Sequence, residues 1–205
     1  MIDRATRGAT VPVFGKRAAV LAGILLLGGC VSFGGKAPKQ MIRLTPAVTA
    51  PAGDMASATL HDALVVLDPE ADRRLDVQRV PVQVDDTTIA YLKDATWVER
   101  PSRQFRRLLA ETIRARGKRL VVEQGDASEN GKMILRGRLL DMGYDARSQS
   151  VVVRFDAMRE DAAGTATTRR FEATVPGVSS KVNSIAPAIN KAANDVAAQV
   201  ADWVG

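Results

Sequence analysis

The only cysteine among 205 residues stands at position 30, directly behind an uninterrupted apolar run at 18–27, Ala-Ala-Val-Leu-Ala-Gly-Ile-Leu-Leu-Leu. Arg4, Arg7, Lys16 and Arg17 precede the run as a basic leader. Ten apolar residues are too few to cross a bilayer, whose ~30 Å hydrocarbon core takes roughly 20 in helical form. A basic leader, a short apolar run and small residues at its end make the pattern of a secretory signal instead. A single thiol also excludes a disulfide framework. With one histidine, His61, no zinc site of Cys and His pairs can form, and Cys30 with His61 is the only Cys–His pair the chain could offer for nucleophilic catalysis.

Leu27-Gly28-Gly29-Cys30 resembles a bacterial lipobox, in which small residues fit the lipoprotein signal peptidase and the cysteine becomes a lipidated N-terminus. Two or more acyl chains give stable membrane attachment, whereas one alone is marginal. The expected organisation is a lipoprotein signal peptide at 1–29, a lipidated tether at 30–40 rich in Gly, Pro, Ser and Lys, and a single domain at 41–205. Residue 31 is Val rather than Asp. By resemblance to the enterobacterial sorting pattern, this implies the outer membrane, with the chain on its periplasmic face.

Composition enters through charge. Lys+Arg 29 against Asp+Glu 23 gives +6, a balance that suggests an anionic partner. Residues 1–29, however, hold four basic side chains against one acidic, so half of the surplus belongs to the leader and about +3 remains on residues 30–205. An exported chain with few aromatics beside its basic residues is not a nucleic-acid binder.

The strand candidates are 41–44, 63–67, 79–84 and 87–92, with Asp85-Asp86 as the tight turn of a hairpin between the last two. Pro101 opens a helix, where its missing N–H costs nothing, and Gly117 ends it. Phe105, Leu108, Leu109, Thr112 and Ile113 give that helix an apolar stripe. After a strand at 119–123 and a polar turn at 125–131, three more strands fit 132–175: one at 133–141, one with Val151, Val153, Phe155 and Ala157 on a buried face, and one with Phe171, Ala173 and Val175. Ala162-Ala163-Gly164 joins the last two. A long terminal helix carries Val182, Ile185, Ile189, Ala193, Val196, Val200 and Trp203; a start at Ser184 leaves Pro187 harmless in the first turn. The fold class expected is α+β, a mostly antiparallel sheet with two helices packed on one face.

No phosphate-binding glycine loop is present, and the paired carboxylates Asp85-Asp86, Glu123 with Asp126, and Glu160-Asp161 read as turn residues rather than acid–base pairs. No catalytic residue, cofactor or metal site is expected. Two features stand out as partner-binding candidates. One is the cluster Arg103, Arg106, Arg107, Arg114, Arg116, Lys118 and Arg119, whose Arg103, Arg107 and Arg114 share the helix face opposite Phe105. It reads as a solvated face first and as a contact with anionic lipid or an acidic partner second. The other is the stretch from Tyr91 to Pro101 with Tyr91 and Trp97, which reads as an aromatic pin between hairpin and helix, or as a contact loop.

At this stretch the sequence resembles the ABC-type transport auxiliary lipoprotein family, the group that includes paraquat-inducible protein C. Met41-Ile-Arg-Leu-Thr-Pro46 is similar to the family's early Tyr-x-Leu-x-Pro-type strand, with Met41 and Ile42 where aromatics are usual. Leu75-Asp-Val-Gln-Arg-Val-Pro-Val82, Ile89-Ala-Tyr-Leu92 and Ala95-Thr-Trp-Val-Glu-Arg-Pro101 resemble the following segments in order. With the lipobox and terminal helix, the likeness covers most of 21–204. It implies a non-catalytic accessory to an ABC transporter with a mammalian-cell-entry (MCE) domain subunit, moving phospholipid or another hydrophobic molecule between membranes. A second reading stays open: an envelope lipoprotein that regulates cell-wall synthesis or outer-membrane assembly on a similar scaffold.

Overall fold

The computed structural model describes residues 40–53, 57–59, 62–117, 119–123 and 133–205. The expected signal peptide, Cys30, tether residues 30–39 and the polar turn at 125–131 lie outside the described residues. Among those described, no helix is long and apolar enough to cross a membrane.

One long strand organises the rest. β8 (Met133–Asp145) pairs antiparallel along one edge with β9 (Ser150–Glu160), which pairs in turn with β10 (Ala166–Val175). Along its other edge β8 takes three short strands in sequence, all parallel to it: β2 (Leu64–Val66) at Met133–Leu135, β3 (Glu70–Ala71) at Arg138–Leu139 and β4 (Pro81–Gln83) at Tyr144–Asp145. β7 (Val121–Glu123) adds parallel to the far side of β2, and β5 (Ile89–Tyr91) closes a hairpin with β4. A separate parallel pair joins β1 (Gln40–Ile42) to β6 (Ala95–Trp97).

The α+β class therefore stands, but the sheet is mixed rather than mostly antiparallel. Antiparallel partners are joined by tight turns whose residues are local: the Asp85 carboxylate accepts from the Thr87 and Thr88 N–H groups at 2.9 and 2.8 Å, and Asp161 closes the β9–β10 turn in the same way through Ala163 and Thr165. Parallel partners need a crossover. Here α1 (Pro101–Arg116) carries the chain from the β1–β6 pair to β7, and no residue type marks that pairing in the sequence. The segment around Trp97, expected as a loop, includes β6 for the same reason.

Both helices pack on one face of the sheet. Val151, Val153, Phe155 and Ala157 of β9 are buried there, as the period-2 pattern requires. Phe105 of α1 meets Phe155 edge-on at 5.2 Å, while Arg159 of the same β9 face donates to the Trp203 and Val204 carbonyls at the end of α2 (Val182–Val204). α2 starts at Val182, two residues before the expected Ser184, so Pro187 lies in the second turn. It cannot donate to the Asn183 carbonyl, yet the buried Ile185 and Ile189 on either side hold the helix to the core.

Arg147 ties the β4–β5 hairpin to the turn between β8 and β9. Its guanidinium binds Asp145 at 2.8 Å and also reaches Asp86. The side-chain bond from Arg147 holds the Asp145 carboxyl down to about 2. Because the folded value lies below the unfolded one of ~3.9, the interaction stabilises the fold above about pH 4 and is lost as pH falls toward 2. Acid unfolding followed by circular dichroism should be less steep between pH 4 and 2 in Asp145→Asn than in the native chain; parallel curves would show the pair to be silent.

Candidate partner-binding surface

The helical period turns Arg103, Arg107 and Arg114 away from the core, where Phe105, Leu108 and Leu109 are buried. These arginines are met by Glu111 of the same helix and by acids from three other places in the chain. Arg103 lies 3.7 Å from Glu99 and 4.0 Å from Asp68, and Arg107 donates to the same Glu99. Arg114 binds Glu111 at 2.7 Å and lies 3.8 Å from Glu123. Arg106 sits 3.0 Å from Asp68, and Arg116 reaches across to Asp202 of α2 at 2.7 Å. Such half-exposed pairs contribute only about 0–1 kcal/mol each to stability. Their effect is on the surface potential: a stripe that reads in the sequence as surplus positive charge is laced with carboxylates.

Arg103 and Arg107 are thus brought together around Glu99, whereas Arg114 lies one stretch further along the helix with Glu111. Arg107 and Arg114 share a cleft of about 470 Å³ with Leu44, Pro46, Val98 and Glu111. Tyr91 belongs to β5, half-buried, with the Arg79 guanidinium 5.5 Å above its ring. Trp97, in β6 beside Ile42 of β1, is fully buried and contributes no area to this surface. Its Nε1 has no hydrogen-bond partner among the described residues.

The residues that shape this surface most were not singled out in the sequence. Residues 43–50 form a strap across both helices, held by their backbone. The N–H of Leu44 donates to Gln104 Oε1 (2.9 Å) and that of Ala50 to Glu111 (2.9 Å), both on α1. The N–H groups of Thr45 and Ala47 donate to Asn190 and Asn194 of α2 (2.7 Å each), and Asn194 Nδ2 donates back to the Thr45 carbonyl (3.0 Å). Gln104 and Glu111 are seven residues apart, Asn190 and Asn194 four, which puts each pair on one helix side. That polar spacing was visible; what it would hold was not, because its acceptors serve backbone groups of a segment far away in the chain. A strap clamped in this way fixes the path of the chain directly after β1.

Among the described residues no group of three or more His, Cys, Asp or Glu could hold a metal ion. The chain is similar in fold to protein XCC0632 of Xanthomonas campestris, with 17% identity, a TM-score of 0.67, and 80% of this chain and 94% of that one covered. A second crystal structure, of an uncharacterised protein, matches at 13% identity and a TM-score of 0.66, covering 82% and 99%. A search of the curated proteins gave no match. The model of the ABC-type transport auxiliary lipoprotein component family matches residues 44–201, from the strap through nearly the whole of α2, and the chain belongs to that family.

Proposed function

We propose that this protein is a periplasmic lipoprotein, anchored in the outer membrane through Cys30, that serves without catalysis as the auxiliary component of an MCE-type ABC transport system for phospholipid or other hydrophobic molecules. The observation that carries this reading is the family match over residues 44–201 in a chain whose only cysteine directly follows a signal-like apolar run. In this reading residues 1–29 are removed, and about ten residues of tether give the domain a reach of at most ~35 Å from the bilayer. Tyr91, Arg103, Arg107 and Arg114 present the partner-facing surface, with Trp97 stiffening it from within. Paired arginines suit a protein partner better than a lipid surface, because Glu99, Glu111 and Glu123 weaken the attraction for anionic headgroups.

Two measurements test it. Cys30→Ala should leave an unprocessed or soluble protein and remove it from the outer-membrane fraction; an outer-membrane variant would overturn the anchor. Crosslinking in native cells followed by purification should recover an MCE-domain subunit, and its consistent absence would overturn the transport assignment while leaving the anchor intact.

A further inference from the structure

β10 is the outer strand of the meander. It pairs with β9 over ten consecutive residues without a bulge, and no described strand occupies its other edge. Residues 166–170, Glu172 and Thr174 are exposed. The bond from the Asp161 N–H to the Thr165 carbonyl (3.1 Å) sets the phase of this ladder. Odd-numbered residues of β10 turn their N–H and C=O groups toward β9, so Thr168, Arg170, Glu172 and Thr174 turn theirs outward. One of these groups is engaged within the chain, the Glu172 carbonyl accepting from Gln199 Nε2 of α2 at 3.3 Å. A long, regular edge without a neighbouring described strand is a template for another strand once that side chain turns aside.

The side chains say which strand. On the open face of the meander two adjacent rows cross all three strands. One runs Arg138, Asp156, Arg170 and the other Asp141, Arg154, Glu172. Within them Arg170 grips Asp156 at 2.6 and 2.7 Å, while Arg154 binds Asp141 at 2.7 Å and Glu172 at 2.5 Å. The irregularity between Leu139 and Asp141 builds the second row, since without it Leu140 would face Arg154. Each row alternates in sign, and the two reach the free edge with opposite signs, Arg170 in one and Glu172 in the next.

We propose that two copies of the chain pair through β10, antiparallel, about a two-fold axis at Phe171. Arg170 then lies opposite the partner's Glu172 and Glu172 opposite the partner's Arg170. Both rows continue across the axis with unbroken alternation, from Arg138 on one copy to Asp141 on the other. Registers that keep outward groups opposite outward groups move this pairing in steps of two. The neighbouring ones set Arg170 against Arg170 or Glu172 against Glu172, where like charges repel. Thr168 pairs with Thr174, Arg169 lies beside the small Ala173, and the Phe171 rings meet on the helix face, each already packed on Trp203 at 5.6 Å. Pro176, which has no N–H, ends the ladder. Four narrow pairs remain, or about eight backbone hydrogen bonds, two of which replace the Gln199 side chain at the Glu172 carbonyls. An interface in which the same patch serves both copies closes on itself and leaves no further edge there.

Charge reversal tests the register. Arg170→Glu places two glutamates at each crossing, and Glu172→Arg places two arginines. Each variant alone should weaken the dimer on the order of a hundredfold in sedimentation of the purified lipoprotein in detergent. Mixed, the two variants should dimerise with each other, because every crossing again joins opposite charges. Thermal unfolding of each variant checks that the monomer is folded; if a reversal unfolds it, Thr168→Pro, which removes one outward N–H, replaces it. Rescue by mixing supports the pairing. A native chain that stays monomeric, an assembly indifferent to both reversals, or reversals that weaken it without rescue would each overturn it.

Discussion

Gly137→Ala unfolds the meander or costs it about 3 kcal/mol or more, the upper range for overpacking a close-packed interior. A Cβ at this position in β8 would overlap the Asp156 carbonyl oxygen and lie 2.7 and 2.8 Å from two ring atoms of Phe155. Neither neighbour can give way. The carbonyl belongs to β9, which is paired on both sides, and the Phe155 ring is wedged against Phe105 of α1. For a domain of this size the change should lower Tm by about 10 °C, measured by circular dichroism or calorimetry. The absence of a side chain at Gly137 is thus what lets the aromatic pair sit at the junction of helix and sheet. Ala at Gly53, which has open space around it, should by contrast cost only its backbone strain. A Gly137→Ala chain as stable as the native one would mean that the two strands separate there at little cost.

Trp97→Ala should cost about 3–5 kcal/mol, a large part of the 5–15 kcal/mol that keeps an ordinary domain folded. The ring is the largest fully buried side chain, and it holds β6 against β1, where Ile42 is its register partner. Because its Nε1 has no hydrogen-bond partner among the described residues, Trp97→Phe gives up no bond seen there and should cost far less, leaving mainly the volume difference. Near-equal losses for the two variants would show that the indole N–H is bonded after all. Since the strap follows β1, the alanine variant should also speed backbone amide exchange at Leu44, Thr45 and Ala47.

How much of this could be read beforehand depends on distance along the chain. α1 shows a 3.6-residue apolar period with Pro101 at its first position, and β9 alternates strictly, so both are written in their own residues. The turns at Asp85 and Asp161 are equally local, since each carboxylate bonds backbone groups two to four residues on. Leu64–Val66 and Pro81–Gln83 fall within the expected strands 63–67 and 79–84, and Glu70–Ala71 was not expected, but fragments so short carry no period that says what they pair with. They pair parallel because β8 offers them an edge thirteen residues long, and the expected antiparallel sheet gave way to a mixed one there. The arginine stripe on α1 shows the same limit in electrostatics. Its residues were correctly turned outward, but apart from Glu111 the acids that meet them, Asp68, Glu99, Glu123 and Asp202, lie outside the helix.

Local patterns along the chain carry the lone cysteine behind its apolar run, the two amphipathic helices, the alternating meander and the order of family segments, all of which rest on contacts or periods within a few residues. It takes the folded chain for β8 to gather three parallel strands, for polar residues seven and four apart on two helices to clamp residues 43–50, and for two charge rows to end on opposite signs at an edge with no neighbouring described strand. Those features join residues 13 to 149 positions apart, and such pairings form only after the core has brought distant backbone together and excluded the water that would otherwise satisfy it.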